Sequence, residues 1–233
     1  MSTSTQSWGS RLMGSIKSVL FGLILFIGSF VVLWMNEGRT VKNYRGLSEG
    51  TEQVISVSSK EFSAENDKKL VHTNGKITSI NKLFDDDFNI ETEGLRLKRT
   101  VSMYQWVEIK NEKTKENIGG SKTTTTEYTY EKEWRNTAIN SSKFNTEGYE
   151  NPSEFPYQEI TKQVTKATLG EFSISQAQLS RLTNFVAYPI KKLDSTVLNA
   201  KIKTGGIIYL SDSLTAQHPQ IGDIKISYQL IPT

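Results

Sequence analysis

Val19-Leu-Phe-Gly-Leu-Ile-Leu-Phe-Ile-Gly-Ser-Phe-Val-Val-Leu-Trp-Met35 is a run of seventeen residues without a charge, followed at once by Asn36-Glu37-Gly38-Arg39. At about 1.5 Å per helical residue this run covers about 25 Å, and extension back to Ser15 matches the roughly 30 Å hydrocarbon core of a bilayer. The spacing predicts a transmembrane helix over residues 15–36, preceded by a short tail at 1–14 and followed by a domain at 37–233. A cleaved secretory signal is the competing reading, but it has a shorter apolar stretch and a small-residue cleavage site. Val31-Val32-Leu33-Trp34-Met35 offers no such site.

The ends of the run carry the expected interface chemistry. Trp34 suits the membrane–water boundary, Arg39 lies just outside it, and Gly38 is placed to stop the helix. Lys17 sits one turn inside the other end, where its stem can lie in hydrocarbon while its amine reaches the headgroups. Gly14, Ser18 and Gly22 recur every four residues and leave one narrow side on which a second helix can pack. Arg11 and Lys17 on one side nearly balance Arg39, Lys42 and Arg45 on the other, so the basic residues alone do not set sidedness. With Glu37 and Glu49 interspersed, these three cations read as a solvated collar rather than a lipid-specific site.

Beyond the helix the composition is that of a folded, water-exposed domain: 36% apolar and 23% charged residues. A net charge of +3, evenly spread, gives no footprint for nucleic acid. Cysteine is absent, which removes disulfides, thiolate metal sites and cysteine nucleophiles together. A single glycosylation sequon occurs at Asn140-Ser141-Ser142 and matters in a eukaryotic lumen.

The pattern past the membrane is strands with few helical interruptions. Val101–Ile109 places Val101, Met103, Val107 and Ile109 on one face and Tyr104 and Trp106 on the other. Tyr128, Tyr130 and Trp134 alternate with Thr129, Glu131 and Glu133, giving one aromatic and one acidic face. Asn111–Thr126, with Gly119-Gly120 and four consecutive threonines, reads as an exposed, mobile hairpin loop. Leu70–Ile80, Ile202–Leu210 and Ile224–Leu230 are further strand candidates, with turn signals at Asn74-Gly75, Gly205-Gly206 and Gly222-Asp223. A helix is expected from Ser173, where Gln176 completes a capping box and Pro189 forbids continuation.

Catalytic motifs are lacking: no phosphate-binding glycine loop, no zinc-protease motif and no nucleophile elbow. Asp85-Asp86-Asp87 is better read as a solvated turn than as a cation site, and Ser211-Asp212-Ser213 as turn chemistry. His72 and His218 are the only histidines.

The sequence resembles the transmembrane protein 43 (LUMA) family over essentially its whole length. Its marks are Asn36-Glu37-Gly38-Arg39, Leu47-Ser48-Glu49-Gly50, Leu70-Val71-His72, Met103-Tyr104-Gln105-Trp106-Val107-Glu108, Glu133-Trp134-Arg135, Asn151-Pro152-Ser153 and Gly222-Asp223-Ile224-Lys225-Ile226-Ser227. The resemblance implies an integral membrane protein with a cytoplasmic N-terminus and its main domain on the luminal or extracytoplasmic side. In animals it implies the endoplasmic reticulum and inner nuclear membrane, self-association, and partners such as emerin and lamins; in a bacterium, the cytoplasmic membrane. It implies no catalytic residues. Family members continue into further membrane helices beyond the G-D-[IL]-[KR]-[IV]-S strand, whereas this chain stops at Thr233, so a shortened or truncated form is expected.

The expected protein is therefore α+β, a strand-rich extracytoplasmic domain on one N-terminal transmembrane helix. Its expected role is that of a scaffold or interaction protein, without cofactor, in contact with the lipid bilayer, copies of itself and other membrane or envelope proteins. The opposing reading is a lipid-handling or enzymatic domain with a site built from dispersed residues. Tyr104, Trp106, Tyr128, Tyr130 and Trp134 separate the two by whether they pack or line an open pocket.

Overall fold

The computed structural model describes residues 2–193, 197, 199–212 and 218–233, which form two compact units. One gathers residues 2–57, 65–72 and 109–129; the other gathers 58–64, 73–108 and the described part of 130–233.

In the first unit, β1 (Ser2–Gln6) leads through Ser7 into α1 (Trp8–Gln53). Ser7 caps the helix by accepting from the Ser10 amide at 3.4 Å. The 46 residues of α1 extend about 69 Å, and none is buried. Hydroxyls in and beside the apolar run are satisfied by the helix itself: Ser18 Oγ donates to the Gly14 carbonyl at 3.0 Å and Ser29 Oγ to that of Phe26 at 2.6 Å. The expected stop at Gly38 does not occur. Gly38 keeps negative φ, Thr40 Oγ1 donates back to the Asn36 carbonyl at 2.9 Å, and the first proline in the chain is Pro152. A mid-helix glycine costs about 1 kcal/mol, too little by itself to end a helix that meets no proline. The chain turns extended at Val54, and β2 (Ile55–Ser56) pairs in parallel with β3 (Val71–His72).

The second unit opens with β4 (Ile77–Thr78), then the hairpin of β5 (Leu83–Asp85) and β6 (Ile90–Thr92). The long strands β7 (Arg96–Glu116) and β8 (Lys122–Arg135) are divided between the units, with 96–108 and 130–135 in the second. After them come β9 (Ile160–Gln163), β10 (Ala167–Leu169), β11 (Phe172–Ile174), α2 (Gln176–Ser180) and β12 (Val186–Tyr188). The last strands are β13 (Ala200–Lys203), β14 (Ile207–Leu210) and β15 (Ile224–Ile231). The main sheet runs β8-β7-β15-β14-β13, with β9 also on β7 and β12 also on β15.

Period-two alternation builds its core. β15 lies antiparallel on β7 from Ile224↔Met103 to Ile231↔Arg96, so Ile224, Ile226, Tyr228 and Leu230 face inward with Leu97, Val101 and Met103. Phe88, Val164, Leu179 and Ile208 complete the layer, each burial worth about 1.5–3 kcal/mol. The glycine turn between β13 and β14 is formed as expected, Gly205 and Gly206 taking φ of 80° and 72°.

Three expectations fail here for identifiable reasons. Asn111–Thr126 is not a loop: strand continues to Glu116 and resumes at Lys122, leaving a turn closed by Asn117 N donating to Ser121 O at 2.8 Å. Leu70–Ile80 is not one hairpin. Only Val71–His72 and Ile77–Thr78 are strand, β4 pairs with β10, and Gly75 serves close packing, since a Cβ there would lie 2.9 Å from Ser59 Oγ. The capping box sits two residues later than expected, at Ser175 and Gln178, because Phe172–Ile174 is taken into a ladder with β10. α2 then ends at Ser180, whose carbonyl accepts from Arg96 Nη1 at 2.9 Å.

Candidate functional site

Tyr104, Trp106, Tyr130 and Trp134 of β7 and β8 are half-buried and stack on the sheet in two groups, while Tyr128 is half-buried outside both. In the first, Trp134 meets Tyr104 at 5.2 Å and Tyr209 at 6.0 Å between ring centroids. Lys225 Nζ stands 4.0 Å over Trp134, and Lys203 Nζ stands 3.5 Å over Tyr209. In the second, Tyr130 stacks on Tyr149 at 3.8 Å, Trp106 meets Tyr149 edge-on at 4.9 Å, and Lys132 covers Trp106 at 4.6 Å. Glu108 ties this group to the next loop: it accepts from Tyr130 Oη at 2.6 Å and from Asn145 N at 2.5 Å.

The polar signature residues are spent on holding loops to the sheet. Gln105, fully buried, donates to the Thr137 carbonyl at 3.1 Å and accepts from Ile139 N at 2.8 Å. Asn151 pairs with the backbone of Trp106 in both directions, at 2.7 and 2.9 Å. Glu133 and Arg135 pair with each other at 2.6 Å. Asp223, after the Gly222 turn, accepts from Tyr209 Oη and from Gln220 N. Burial, then the Asp223 carboxylate, pushes the Tyr209 phenol well above its ordinary value.

Of Asp85-Asp86-Asp87, the last two lie in an exposed turn as expected, but Asp85 ends β5 and is buried. Asp85 and Arg99 are both 1% exposed, and Arg99 Nη1 donates to both Asp85 oxygens, at 2.7 and 2.8 Å. Tyr228 Oη donates to Asp85 at 2.7 Å, Asp87 takes Arg99 Nη2 at 2.6 Å, and the Gln158 carbonyl accepts from Arg99 Nε at 3.1 Å. Burial works to lower the Arg99 pKa, but Asp87 and Asp85 outweigh it and raise it; burial and Asp85 hold the Tyr228 phenol far above its usual range. Every side-chain polar atom of the buried Asp85–Arg99 pair has a partner, which fits a pair that holds the fold.

Among the described residues no group of three His, Asp or Glu side chains is placed to hold a metal ion. The cleft beside Asp223, about 490 Å³, is lined by Met103, Pro152, Glu154, Tyr157, Asp212 and Gln220, and none of the stacked β7–β8 aromatics enters it. Ser213 of the Ser211-Asp212-Ser213 motif lies outside the described residues.

On α1, the expected membrane residues Gly14, Ser18, Gly22, Lys17, Trp34 and Arg39 are all exposed, and a Cβ on Gly14 or Gly22 would meet nothing within 4 Å. The sequence reading missed the contacts at the helix start. β1 pairs antiparallel with β8 from Ser2↔Thr126 to Gln6↔Lys122. Arg11 donates to the Gly120 carbonyl and pairs with Glu116 at 2.9 Å, Lys122 reaches Glu116 at 3.2 Å, and Trp8 covers Gly120. Lys122 and Arg11 together hold the Glu116 carboxyl below its ordinary pKa. The alternating Ser and Thr of Ser2–Thr5, opposite Thr123–Thr126, is the one trace of this pairing in the sequence.

An apolar helix with no buried residue, joined to a strand-rich body whose buried ion pair is fully partnered, defines an α+β membrane protein. Residues 103–233 match the family model described as Transmembrane protein 43. The mouse protein named Transmembrane protein 43 is 31% identical over 220 residues, which cover 94% of this chain and 54% of that protein. The human protein of the same name is 30% identical over 220 residues with the same coverage, and a Drosophila melanogaster homolog is 31% identical over 218 residues, 90% of this chain and 56% of its own. No solved structure matches. The chain belongs to the Transmembrane protein 43 family and spans about half the length of the curated relatives it matches.

Proposed function

We propose that this protein is a membrane-anchored scaffold or interaction module that self-associates and contributes to membrane or envelope organisation. Residues 15–36 cross the bilayer, 1–14 lie in the cytoplasm and 37–233 lie on the extracytoplasmic side. In a eukaryote the membrane is the endoplasmic reticulum and inner nuclear membrane; in a bacterium it is the cytoplasmic membrane. The observation that carries this reading is α1, whose long apolar run buries nothing in its own chain and so requires lipid or other helices. The stacking of Trp106, Tyr130 and Trp134 on neighbouring side chains favours an interaction surface over the lipid-handling or enzymatic alternative.

This placement has a structural consequence. Ser2–Gln6 and the β7–β8 turn meet at the N-terminal end of α1, yet the turn and its flanks carry Lys110, Glu112, Lys113, Lys115, Glu116 and Lys122. A charge at the bilayer centre costs about 2.5–3.5 kcal/mol on the insertion scale. The charged hairpin therefore stays in water with residues 37–233, and β1 leaves β8 when α1 inserts.

Sidedness is tested in sealed microsomes. The exposed Asn140 acquires a glycan, and since the chain has no cysteine, Ser4→Cys takes a membrane-impermeant maleimide from outside whereas Thr161→Cys does not. Equal labelling of both positions rejects the topology. Self-association is tested by crosslinking in intact membranes with identification of the attached proteins; recovery of monomer alone counts against the scaffold.

A further inference from the structure

The first aromatic group lies on one continuous face of the sheet. The register aligns Lys201 of β13, Tyr209 of β14, Lys225 of β15 and Ser102 of β7 across that face, and Lys203 and Tyr104 share it. Trp134 of β8 closes the row by packing on Tyr104. Lys203 is exposed, Lys225 and Trp134 are half-buried, and neither Lys203 nor Lys225 has a carboxylate partner among the described residues.

Two ammonium groups held over neighbouring rings, with no anion between them, are an incomplete arrangement. Each is attracted by the ring beneath it, but they repel each other, and burial followed by the Lys203 charge lowers the Lys225 pKa. An anion placed above the pair relieves that repulsion and completes the charge balance. Lysine amines standing over tryptophan and tyrosine on one face are presented outward, at the level where a bilayer carries its phosphates, with the rings held behind them. A free polyanion would meet the same lysines, since the rings beneath them are half-buried at Trp134 and Tyr104 and buried at Tyr209. Continuity with the anchor decides the source: α1 ties this face to a bilayer, so headgroups are present at high effective concentration.

We propose that the face formed by Trp134, Tyr104, Tyr209, Lys201, Lys203 and Lys225 docks on the surface of an anionic bilayer, with lipid phosphate between Lys203 and Lys225. The docking deepens the membrane-anchored reading and rests on it. Lysines near an anionic surface contribute enough that removing two weakens docking by about thirtyfold.

The test uses the full chain reconstituted in vesicles of phosphatidylcholine, with or without phosphatidylglycerol, each carrying a headgroup spin-label lipid as quencher. The chain has four tryptophans, and replacing Trp8, Trp34 and Trp106 by Phe leaves Trp134 as reporter. Trp134 fluorescence is quenched in phosphatidylglycerol vesicles, much less in phosphatidylcholine alone, and the difference disappears with Lys203→Gln/Lys225→Gln and at high salt. Equal quenching in both vesicles, or quenching indifferent to the double variant, overturns the docking surface. A second reporter retaining only Trp34, read with an acyl-chain quencher, reports the anchor: if Trp34 is quenched and Trp134 is not, the anchor stands and the docking falls. Inorganic phosphate or heparin that quenches nothing yet releases Trp134 only from phosphatidylglycerol vesicles supports competition for the same cations. An unchanged thermal melt of the double variant shows that any loss is not unfolding.

Discussion

The sheet core and α1 treat polarity in opposite ways. The core takes an arginine and an aspartate fully out of water and partners every atom of them, while α1 leaves seventeen consecutive uncharged residues with nothing of their own chain to cover them. The contrast teaches that the core is finished by the chain alone, whereas the helix is finished by its surroundings. Its own hydroxyls are already closed on its carbonyls, which is what hydrocarbon demands and water does not.

The strongest way to break the comparison is on the core side. Arg99→Met leaves the Asp85 charge buried with only the Tyr228 hydroxyl and the Asp87 amide and is expected to cost about 3–5 kcal/mol, read by urea denaturation in detergent; combining it with Asp85→Leu recovers much of that loss. A core indifferent to Arg99→Met would mean that the ion pair is open to water. On the helix side, Leu25→Asp costs about 3 kcal/mol of insertion and moves the protein into the alkaline-carbonate supernatant. If it stays with the membrane, α1 is not the element that holds it there.

A pH titration sharpens the same contrast. The Tyr228 phenol has its folded pKa raised above the ordinary 10.0 of the unfolded chain, so its stabilising effect is full below pH 10 and is lost as pH rises above it. The unfolding free energy from urea denaturation should fall above pH 10 by about 1.4 kcal/mol per pH unit per phenol, and Tyr228→Phe should flatten the fall, leaving the part due to Tyr209. Weaker still, Gly22→Leu should reduce association measured by a membrane two-hybrid assay if the Gly14-Ser18-Gly22 side is an interface; unchanged association removes that role. Last, Lys98→Ala, which breaks a half-exposed pair with Glu159 at 3.0 Å, should change stability by less than about 1 kcal/mol.

The parts legible in the sequence were those decided locally. Val101–Ile109 and Ile224–Leu230 announce themselves by alternation, and Gly205-Gly206 by the positive φ that a tight turn needs. The parts that were not legible depend on a distant partner. Ser173 and Ser175 each stand three residues before a glutamine, and only pairing of Phe172 with Leu169 decides between them. Asp85 looked like its two acidic neighbours until Arg99 and Tyr228 were brought to it, the latter from 143 residues away. The threonines of β8 lack any apolar face, so nothing local marked them as strand.

The failure of Gly38 to end α1 has a mechanical side. A flexible break at the membrane surface would let the span turn in the bilayer without disturbing the residues beyond it, but α1 passes that level as one rod to Gln53. Rotation of the span is then carried undamped to Val54, like torque along a shaft. One residue inserted near Arg45 would swing the chain beyond it by about 100°, and seven would nearly restore the original facing.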